Sequence, residues 1–330
     1  MNGAPVALRV QRDRFAIDGV FTIARGSRTA ADVLSVILTR NEIEGRGECL
    51  PYARYGETMD SVEGQIRSLA AALQGGIDRA ELQTLLPAGA ARNALDCALW
   101  DLEARTAGTR VWQLAGLAEP RPVTTAYTLS LASPQEMRAS AARHADRPLL
   151  KIKLGGRGDV ARLEAVREGA PESTLIVDAN EGWRVADYAA LAPRLVELGV
   201  VMVEQPFAAA DDAVLAGMAR PLPVCADESC HDRTSLAHLS GRYDMVNIKL
   251  DKTGGLTEAL ALRDAARAAG LSVMVGCMVA SSLAMAPAVL VAQDADIVDL
   301  DGPLLLAEDR DAPLVYEDSR VSPSTPALWG

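Results

Sequence analysis

Short apolar runs recur through most of the chain at nearly constant intervals. From about residue 122 onward, β-branched or apolar runs alternate with Ala- and Leu-rich stretches of helical period. The runs read TTAYTLSL, LLKIKL, TLIVDAN, VVMVEQP, PVCADES, MVNIKLDK, LSVMVGCM and DIVDLDGP. Such alternation is typical of parallel strands joined by crossover helices, and eight such units close into a barrel. The pattern therefore predicts an α/β fold, a modified (β/α)8-type TIM barrel.

Charged residues end several of these strands. Lys153, Asp178, Glu204, Asp227 and Lys249 follow one another at intervals of 25, 26, 23 and 22 residues. Each interval equals one strand plus one helix. Because the carboxyl ends of barrel strands meet at one mouth, the spacing predicts that these side chains converge where active sites of barrel enzymes lie.

The first part of the chain has a different pattern. The runs FAIDGVFTIARGS and ADVLSVILTR alternate like antiparallel strands, GECLPYARYGE is expected to be a loop, and AARNALDCALWDLEA has helical apolar spacing. Pro120 and Pro122 mark the join between the two parts. We therefore expect an α+β capping domain over residues 1–118, a catalytic barrel over residues 119–305, and a tail, residues 306–330, that returns to complete the capping domain.

Three of the strand-end residues, Asp178, Glu204 and Asp227, form an acidic triad. Any one of them could be a strand-end cap or a surface charge, but three on consecutive strands favour a binding site. Unpaired carboxylates held together would repel one another, and a hard divalent cation removes that repulsion. With only three histidines in the chain, a zinc site is poorly supplied. Mg²⁺, which prefers carboxylate oxygens, is the expected cofactor.

Lysines flank this triad in the sequence. Lys151 and Lys153 lie two apart and project from the same strand face, and Lys249 follows the last acid. The charge of Lys151 disfavours a second charge on Lys153, which makes Lys153 a usable base at neutral pH. Alternatively, the lysine pair only neutralises the acids. Amines on both sides of a metal-bound carboxylate predict removal and return of an α-proton, with inversion, through an enediolate that the metal stabilises.

Several of these strings resemble a known family. KIK, DAN, VEQP, ADES and NIKLDKTGG resemble the enolase superfamily, muconate-lactonising subgroup, and the similarity covers essentially the whole chain. Longer strings, among them ARGSR, GECLPYARYGE and CADESCH, are similar to the dipeptide epimerases of that subgroup. The resemblance implies that the acidic triad binds Mg²⁺. It also implies that Lys153 and Lys249 are the two acid/base catalysts and that Lys151 is their electrostatic partner.

The eighth strand carries a second pair of acids. Asp299 and Asp301 in VDLDGP match the DxD feature of dipeptide epimerases. Two carboxylates spaced i and i+2 on one strand face suit the free α-ammonium of a dipeptide. The alternative is a strand-end turn formed with Gly302 and Pro303.

Other candidates for substrate contact lie in the capping domain. Arg25 and Arg28 in ARGSR and Arg54 in PYARYGE offer guanidinium groups for the side-chain carboxylate of a glutamate, with Arg25 the first choice. Asn180 and Glu228 lie beside predicted metal ligands, and we expect them to support those ligands or Lys249 from the second coordination layer.

These assignments together imply epimerisation of an acidic dipeptide such as L-Ala-D-Glu, which would serve recycling of cell-wall peptides. Cycloisomerisation or o-succinylbenzoate formation within the same superfamily uses the same lysines and metal but no ammonium group. Schiff-base chemistry at one lysine is an alternative of a different mechanistic class. A non-catalytic binding protein is disfavoured, because it would have no use for opposed lysines around a metal.

Composition restricts the partners. The net charge of −11 argues against nucleic acid, whose binding relies on basic patches. The N-terminus has charges where a signal peptide would be apolar, and five scattered cysteines indicate no disulfide framework, so we expect a cytoplasmic protein. Gly276 and Pro287 interrupt the uncharged run 271–293, which therefore predicts a buried strand and helix rather than a membrane span. The expected partner is a small dipeptide, and homo-oligomerisation is left open.

Overall fold

The computed structural model describes residues 5–330. In this range the strands are β1 Ala7–Ile23, β2 Gly26–Arg40, β3 Ile43–Cys49, β4 Val123–Thr124, β5 Tyr127–Leu129, β6 Leu149–Lys153, β7 Thr174–Asp178, β8 Val200–Glu204, β9 Val224–Ala226, β10 Met245–Ile248, β11 Ser272–Gly276, β12 Ile297–Asp299, β13 Tyr316–Glu317 and β14 Arg320–Val321. The α-helices are α1 Met59–Ser68, α2 Ala70–Gln74, α3 Arg79–Leu85, α4 Ala90–Ala107, α5 Val111–Leu114, α6 Pro134–Arg143, α7 Asp159–Gly169, α8 Val185–Glu197, α9 Leu236–Leu239, α10 Leu250–Thr253, α11 Leu256–Ala268 and α12 Ser282–Val291.

The N-terminal part is an antiparallel sheet of β1, β2 and β3 packed on α4. The prediction of one strand over FAIDGVFTIARGS is wrong in its bounds: β1 ends at Ile23, the chain turns, and β2 begins at Gly26. GECLPYARYGE is likewise only partly a loop, because its first three residues belong to β3 and Ala53–Tyr55 form a 3-10 turn. Gly45 and Gly47 allow β3 to approach α4, since a Cβ at either position would overlap helix backbone.

Eight parallel strands, in the order β5 to β12, form the second part, so the predicted barrel is confirmed. The sheet closes through Ala126, whose backbone N–H donates to Val298 O at 2.8 Å. Inside, apolar side chains fill the barrel below its mouth; they are Ala126, Ile176, Met202, Cys225, Met245 and Met274. The predicted alternation fails between β8 and β9, where the 3-10 turn Asp212–Gly217 replaces an α-helix.

The first and last barrel strands also differ from prediction. TTAYTLSL splits into β4 and β5, and β4 pairs with β14 of the tail instead of joining the barrel. DIVDLDGP is strand only to Asp299, because a 3-10 turn starts at Gly302.

The end of the chain packs on the N-terminal part. The indole N–H of Trp329 donates to Cys97 O on α4 at 3.0 Å, and Gly330 N donates to Asp101 at 2.9 Å. Across residues 5–330, no α-helix combines the length and apolar character that crossing a membrane requires.

Candidate active site

A cavity of about 420 Å³ lies between the capping domain and the barrel mouth. Barrel residues line it, including Lys151, Lys153, Asp227, Lys249, Asp299 and Asp301. The capping domain contributes the β1–β2 hairpin around Arg25 and the segment Tyr52–Tyr55. The volume suits a small molecule with a few polar groups.

The acidic triad stands at the carboxyl ends of β7, β8 and β9. Lys153, Asp178 and Glu204 lie side by side in strand register, and Asp227 follows β9 by one residue. All three acids are buried, and one oxygen from each lies within 4.8 Å of the others, so the group could hold a metal ion.

The donor set fits a hard divalent cation. Burial and the neighbouring Asp178 raise the pKa of Glu204, as expected when carboxylates crowd together in low dielectric. Glu204 Oε2 is buried, and its ion-pair partner among the described residues is Lys151 Nζ, 2.6 Å away. A cation such as Mg²⁺ would satisfy these oxygens.

Lys151 is the most enclosed of the three predicted lysines. Its Nζ lies 2.7 Å from Asp299 Oδ2, 2.6 Å from Glu204 Oε2 and 3.3 Å from Asp178 Oδ2. Burial opposes its charge, but these carboxylates raise the pKa of Lys151 well above its ordinary value. Lys151 therefore stays a cation in this arrangement.

Lys153 and Lys249 approach the triad from different sides. Lys153 Nζ lies 2.6 Å from the same Asp178 oxygen that Lys151 contacts. Lys249, directly after β10, lies 2.6 Å from Asp227 Oδ2. Strands β6 and β10 are four places apart in the eight-stranded sheet. The two amines thus enter the cavity from opposite walls of the barrel.

Asp299 and Asp301 also line the cavity, but they are bound differently. Asp299 pairs with Lys151, whereas Asp301 Oδ2 accepts the backbone N–H of Thr128 at 2.6 Å across the barrel seam. Burial, with a contribution from Asp299, raises the pKa of Asp301 to about 7. Asp301 lies beyond the end of β12, so the expectation of two acids on one strand face is wrong in detail.

The two arginines form ion pairs with barrel carboxylates. Arg25 Nη1 lies 2.7 Å from Glu228 Oε1 and donates to Asn180 O at 2.8 Å. Arg54 makes a bidentate pair with Glu181, at 2.6 and 2.7 Å. The side chain of Glu228 thus contacts Arg25 and Asn180. Of the two roles expected for Glu228, direct support of Lys249 is not seen among these contacts, and support of the metal ligands stays a prediction. Arg28 also lines the cavity and lies over the Tyr52 ring.

Sequence reasoning missed two residues that hold Asp227. Lys252 Nζ is fully buried and donates to Asp227 Oδ1 at 2.6 Å, to Asp227 O at 2.5 Å and to Asn247 O at 2.9 Å. Gln205 Oε1 accepts the backbone N–H of Asp227 at 2.9 Å. The signal for Lys252 was its position three residues after Lys249, which on one helical turn brings both amines to the same carboxylate.

A barrel whose mouth holds three carboxylates between opposed lysines, covered by a separate α+β domain, defines an enolase-type enzyme. Two family models match the chain: the N-terminal domain of mandelate racemase / muconate lactonizing enzyme over residues 6–116, and the enolase C-terminal domain-like model over residues 136–327. The chain belongs to the mandelate racemase/muconate lactonizing enzyme family and is an isomerase of the epimerase kind.

Named relatives agree with this assignment. The L-Ala-D/L-Glu epimerase of Escherichia coli is 50% identical over 94% of this chain and 97% of its own. An N-acetyl-D-glutamate racemase from Pseudoalteromonas is 44% identical over 90% of this chain and 95% of its own.

Solved structures are also similar. An enolase family member from Agrobacterium tumefaciens, with homology to dipeptide epimerases and bound sodium and L-Ala-L-Glu, is 52% identical with a TM-score of 0.97, covering 99% of this chain and 100% of that one. Dipeptide epimerases from Cytophaga hutchinsonii, Enterococcus faecalis and Methylococcus capsulatus, 27–29% identical to this chain, were solved with Mg and a dipeptide.

Proposed function

We propose that this enzyme is a Mg²⁺-dependent dipeptide epimerase that interconverts L-Ala-D-Glu and L-Ala-L-Glu. One observation carries the proposal: Lys153 and Lys249 enter a single cavity from opposite barrel walls, with the acidic triad between them. This arrangement suits inversion at one carbon by two bases, because a proton can leave one face and return to the other.

Asp178, Glu204 and Asp227 would hold the metal. Bound there, Mg²⁺ would accept the substrate carboxylate and stabilise the second negative charge that develops on it as the α-proton leaves. The relatives solved with Mg support the choice of ion. The donor chemistry supports it independently, since the triad offers only carboxylate oxygens.

The lysines would move the proton. One of Lys153 and Lys249 takes the α-proton at its Nζ, and the other, still protonated, delivers a proton to the opposite face of the same carbon. Lys151, charged and buried among three carboxylates, keeps positive potential beside Lys153 without itself reaching a reacting atom. In the reverse direction the two lysines exchange roles.

The remaining cavity groups would select the substrate. Asp299 and Asp301 provide negative charge for the dipeptide α-ammonium, and Arg25 provides positive charge for the glutamate side chain. The match of both charges to an Ala-Glu dipeptide favours a role in recycling cell-wall peptides in the cytoplasm.

Proton NMR in D₂O tests the proposal. The purified protein with Mg²⁺ should convert L-Ala-D-Glu to its diastereomer, with loss of the glutamate α-proton signal, and Lys153→Ala should abolish both changes. N-acetyl-D-glutamate, which lacks an ammonium group, is the comparison substrate. Faster turnover of N-acetyl-D-glutamate than of the dipeptide would overturn the dipeptide assignment, while exchange of neither compound would overturn both substrates.

A further inference from the structure

A buried carboxylate joins three distant segments beside the cavity. Glu48 is the second-last residue of β3, and its side chain is inaccessible to solvent. Glu48 Oε1 accepts the backbone N–H of Ser281 at 2.9 Å, and Oε2 accepts the Ser281 hydroxyl. Arg310 donates to the same Oε2 from Nε at 2.8 Å and from Nη2 at 2.6 Å. These donors therefore come from the segment after β11 and from the tail.

Arg310 also reaches the capping sheet. Its Nη2 donates to Ser35 Oγ on β2 at 2.6 Å and to Asp13 Oδ2 on β1 at 3.0 Å. The guanidinium lies over the Phe15 ring, 5.1 Å from its centroid. Through Arg310, the tail thus connects β1, β2 and β3 to the segment that carries Ser281.

The tethered segments are two walls of the cavity. Ser281 ends the segment after β11, in which Cys277, Met278 and Val279 line the cavity. On the other side, Glu48 lies four residues before Tyr52, where the capping segment Tyr52–Tyr55 begins to line it. A single carboxylate therefore fixes the base of both walls.

We propose that Glu48 is a positioning residue that sets the separation of these two walls, and that Ser281 is the barrel-side contact through which it acts. This inference rests on the proposed function, because the walls would enclose the dipeptide. A carboxylate suits the role: all four hydrogen bonds require an acceptor, and a glutamine amide nitrogen could accept none of them. Neither Glu48 nor Ser281 lines the cavity, so both act through the segments they hold.

Two adjacent serines provide a matched pair of variants. Ser281 bonds to Glu48 of the capping domain, whereas Ser282 bonds to Asp309 and receives the Leu314 N–H. Ser281 is the N-cap of α12, where its hydroxyl also accepts the Leu283 N–H at 3.3 Å and the Arg310 Nε–H at 2.7 Å. Ser282 is the first residue of the helix, so the two alanine variants remove hydroxyls from adjacent positions, and Glu48→Gln changes the tether without changing the helix cap. Only Ser281→Ala removes a side-chain hydrogen bond from the tether between the two walls, while the bond from the Ser281 backbone N–H remains.

The first readout is steady-state turnover of L-Ala-D-Glu. Losing a hydrogen bond to a charged group predicts a KM about tenfold higher for Ser281→Ala, with kcat changed less than about twofold, because the proton-transfer lysines are untouched. Ser282→Ala should keep the wild-type KM. Glu48→Gln should shift KM in the same direction as Ser281→Ala and at least as far. An unchanged KM in Ser281→Ala, or an equal rise in Ser282→Ala, would overturn the proposal.

The second readout needs no substrate. In hydrogen–deuterium exchange of the whole protein, Ser281→Ala should speed exchange in both walls, residues 50–57 and 277–281, whereas Ser282→Ala should leave residues 50–57 at the wild-type rate. Unchanged exchange of residues 50–57 in Ser281→Ala would overturn the inference. If the wild-type protein does not turn over the dipeptide, the proposed function fails, yet this second readout still decides whether the two walls are coupled.

Discussion

Replacing Lys252 by methionine should destabilise the protein more than replacing the proposed catalytic Lys249. Methionine is nearly as long as lysine and keeps the apolar contacts of the buried side-chain stem. The substitution therefore removes almost only the hydrogen bonds and the charge of the amine. The Lys252 amine meets one carboxylate and two carbonyl oxygens at 2.5–2.9 Å. A hydrogen bond to the charged carboxylate contributes about 1.5–3 kcal/mol to the free energy of unfolding, and each bond to a carbonyl contributes about 1 kcal/mol. Before any compensation, Lys252→Met therefore removes about 4 kcal/mol of stability. Breaking a buried ion pair costs about as much, roughly 3–5 kcal/mol.

The remaining lysine reduces this loss. Lys249 still contacts the other oxygen of Asp227 at 2.6 Å, so the carboxylate keeps one cation. We therefore expect Lys252→Met to lower the free energy of unfolding by about 3 kcal/mol. Lys249→Met removes one close ion pair and should lower it by about 1.5–3 kcal/mol while abolishing turnover.

Urea unfolding followed by circular dichroism, with EDTA present so that metal binding does not contribute, measures both variants. A Lys252→Met protein within about 1 kcal/mol of wild type would refute the reasoning, because three buried acceptors would then have lost their donor at little cost. A Lys249→Met protein that is clearly the less stable of the two would also refute it.

Three further predictions concern the cavity and its surroundings. Asp301→Asn keeps an oxygen for the Thr128 N–H but loses the negative charge proposed to bind the substrate ammonium. In steady-state assays kcat/KM for L-Ala-D-Glu should therefore fall about 10- to 100-fold, with a much smaller fall for N-acetyl-D-glutamate. Equal losses for the two substrates would contradict the assignment of Asp301 to the ammonium group. Arg25→Met should raise KM for L-Ala-D-Glu about tenfold or more and leave L-Ala-L-Leu nearly unaffected, and the opposite ranking in the same assay would exclude Arg25 as the side-chain contact. Burial, with nearby Glu57, raises the pKa of Asp251 to about 7. The folded state therefore holds this proton more tightly than the unfolded state, and ionising the buried carboxyl lowers the free energy of unfolding. This loss of stability is absent below about pH 4, grows up to about pH 7 and is complete above that pH. Asp251→Asn should therefore stabilise the protein by up to about 4 kcal/mol at pH 8 and by less at pH 5, as measured by urea midpoints, and a gain independent of pH would contradict this reasoning.

The sequence was most informative where a local pattern repeats. The barrel strands and the candidate residues at their ends could be read from one interval, because each strand–helix unit places its last residue at the same mouth. Lys153, Asp178 and Glu204 do lie in one row across three strands. The interval carries no information about connection type, so the 3-10 turn between β8 and β9 was not anticipated.

Contacts between distant segments could not be read this way. Arg310 meets Glu48 across 262 residues, and Arg54 meets Glu181 across 127. Each of these residues alone resembles a solvated surface charge. Only the docking of the capping domain and the tail on the barrel brings the partners together, and no local periodicity records that docking.

The stereochemistry of α-proton exchange in single-lysine variants tests the two-lysine mechanism most directly. Lys153→Ala and Lys249→Ala are each incubated in D₂O with Mg²⁺ and with L-Ala-D-Glu or L-Ala-L-Glu separately, and the glutamate α-proton is followed by NMR. We predict that neither variant interconverts the epimers and that any remaining exchange is confined to one epimer, a different one for each variant. Interconversion of the epimers by a protein that lacks either lysine, or exchange of the same single epimer by both variants, would contradict the mechanism.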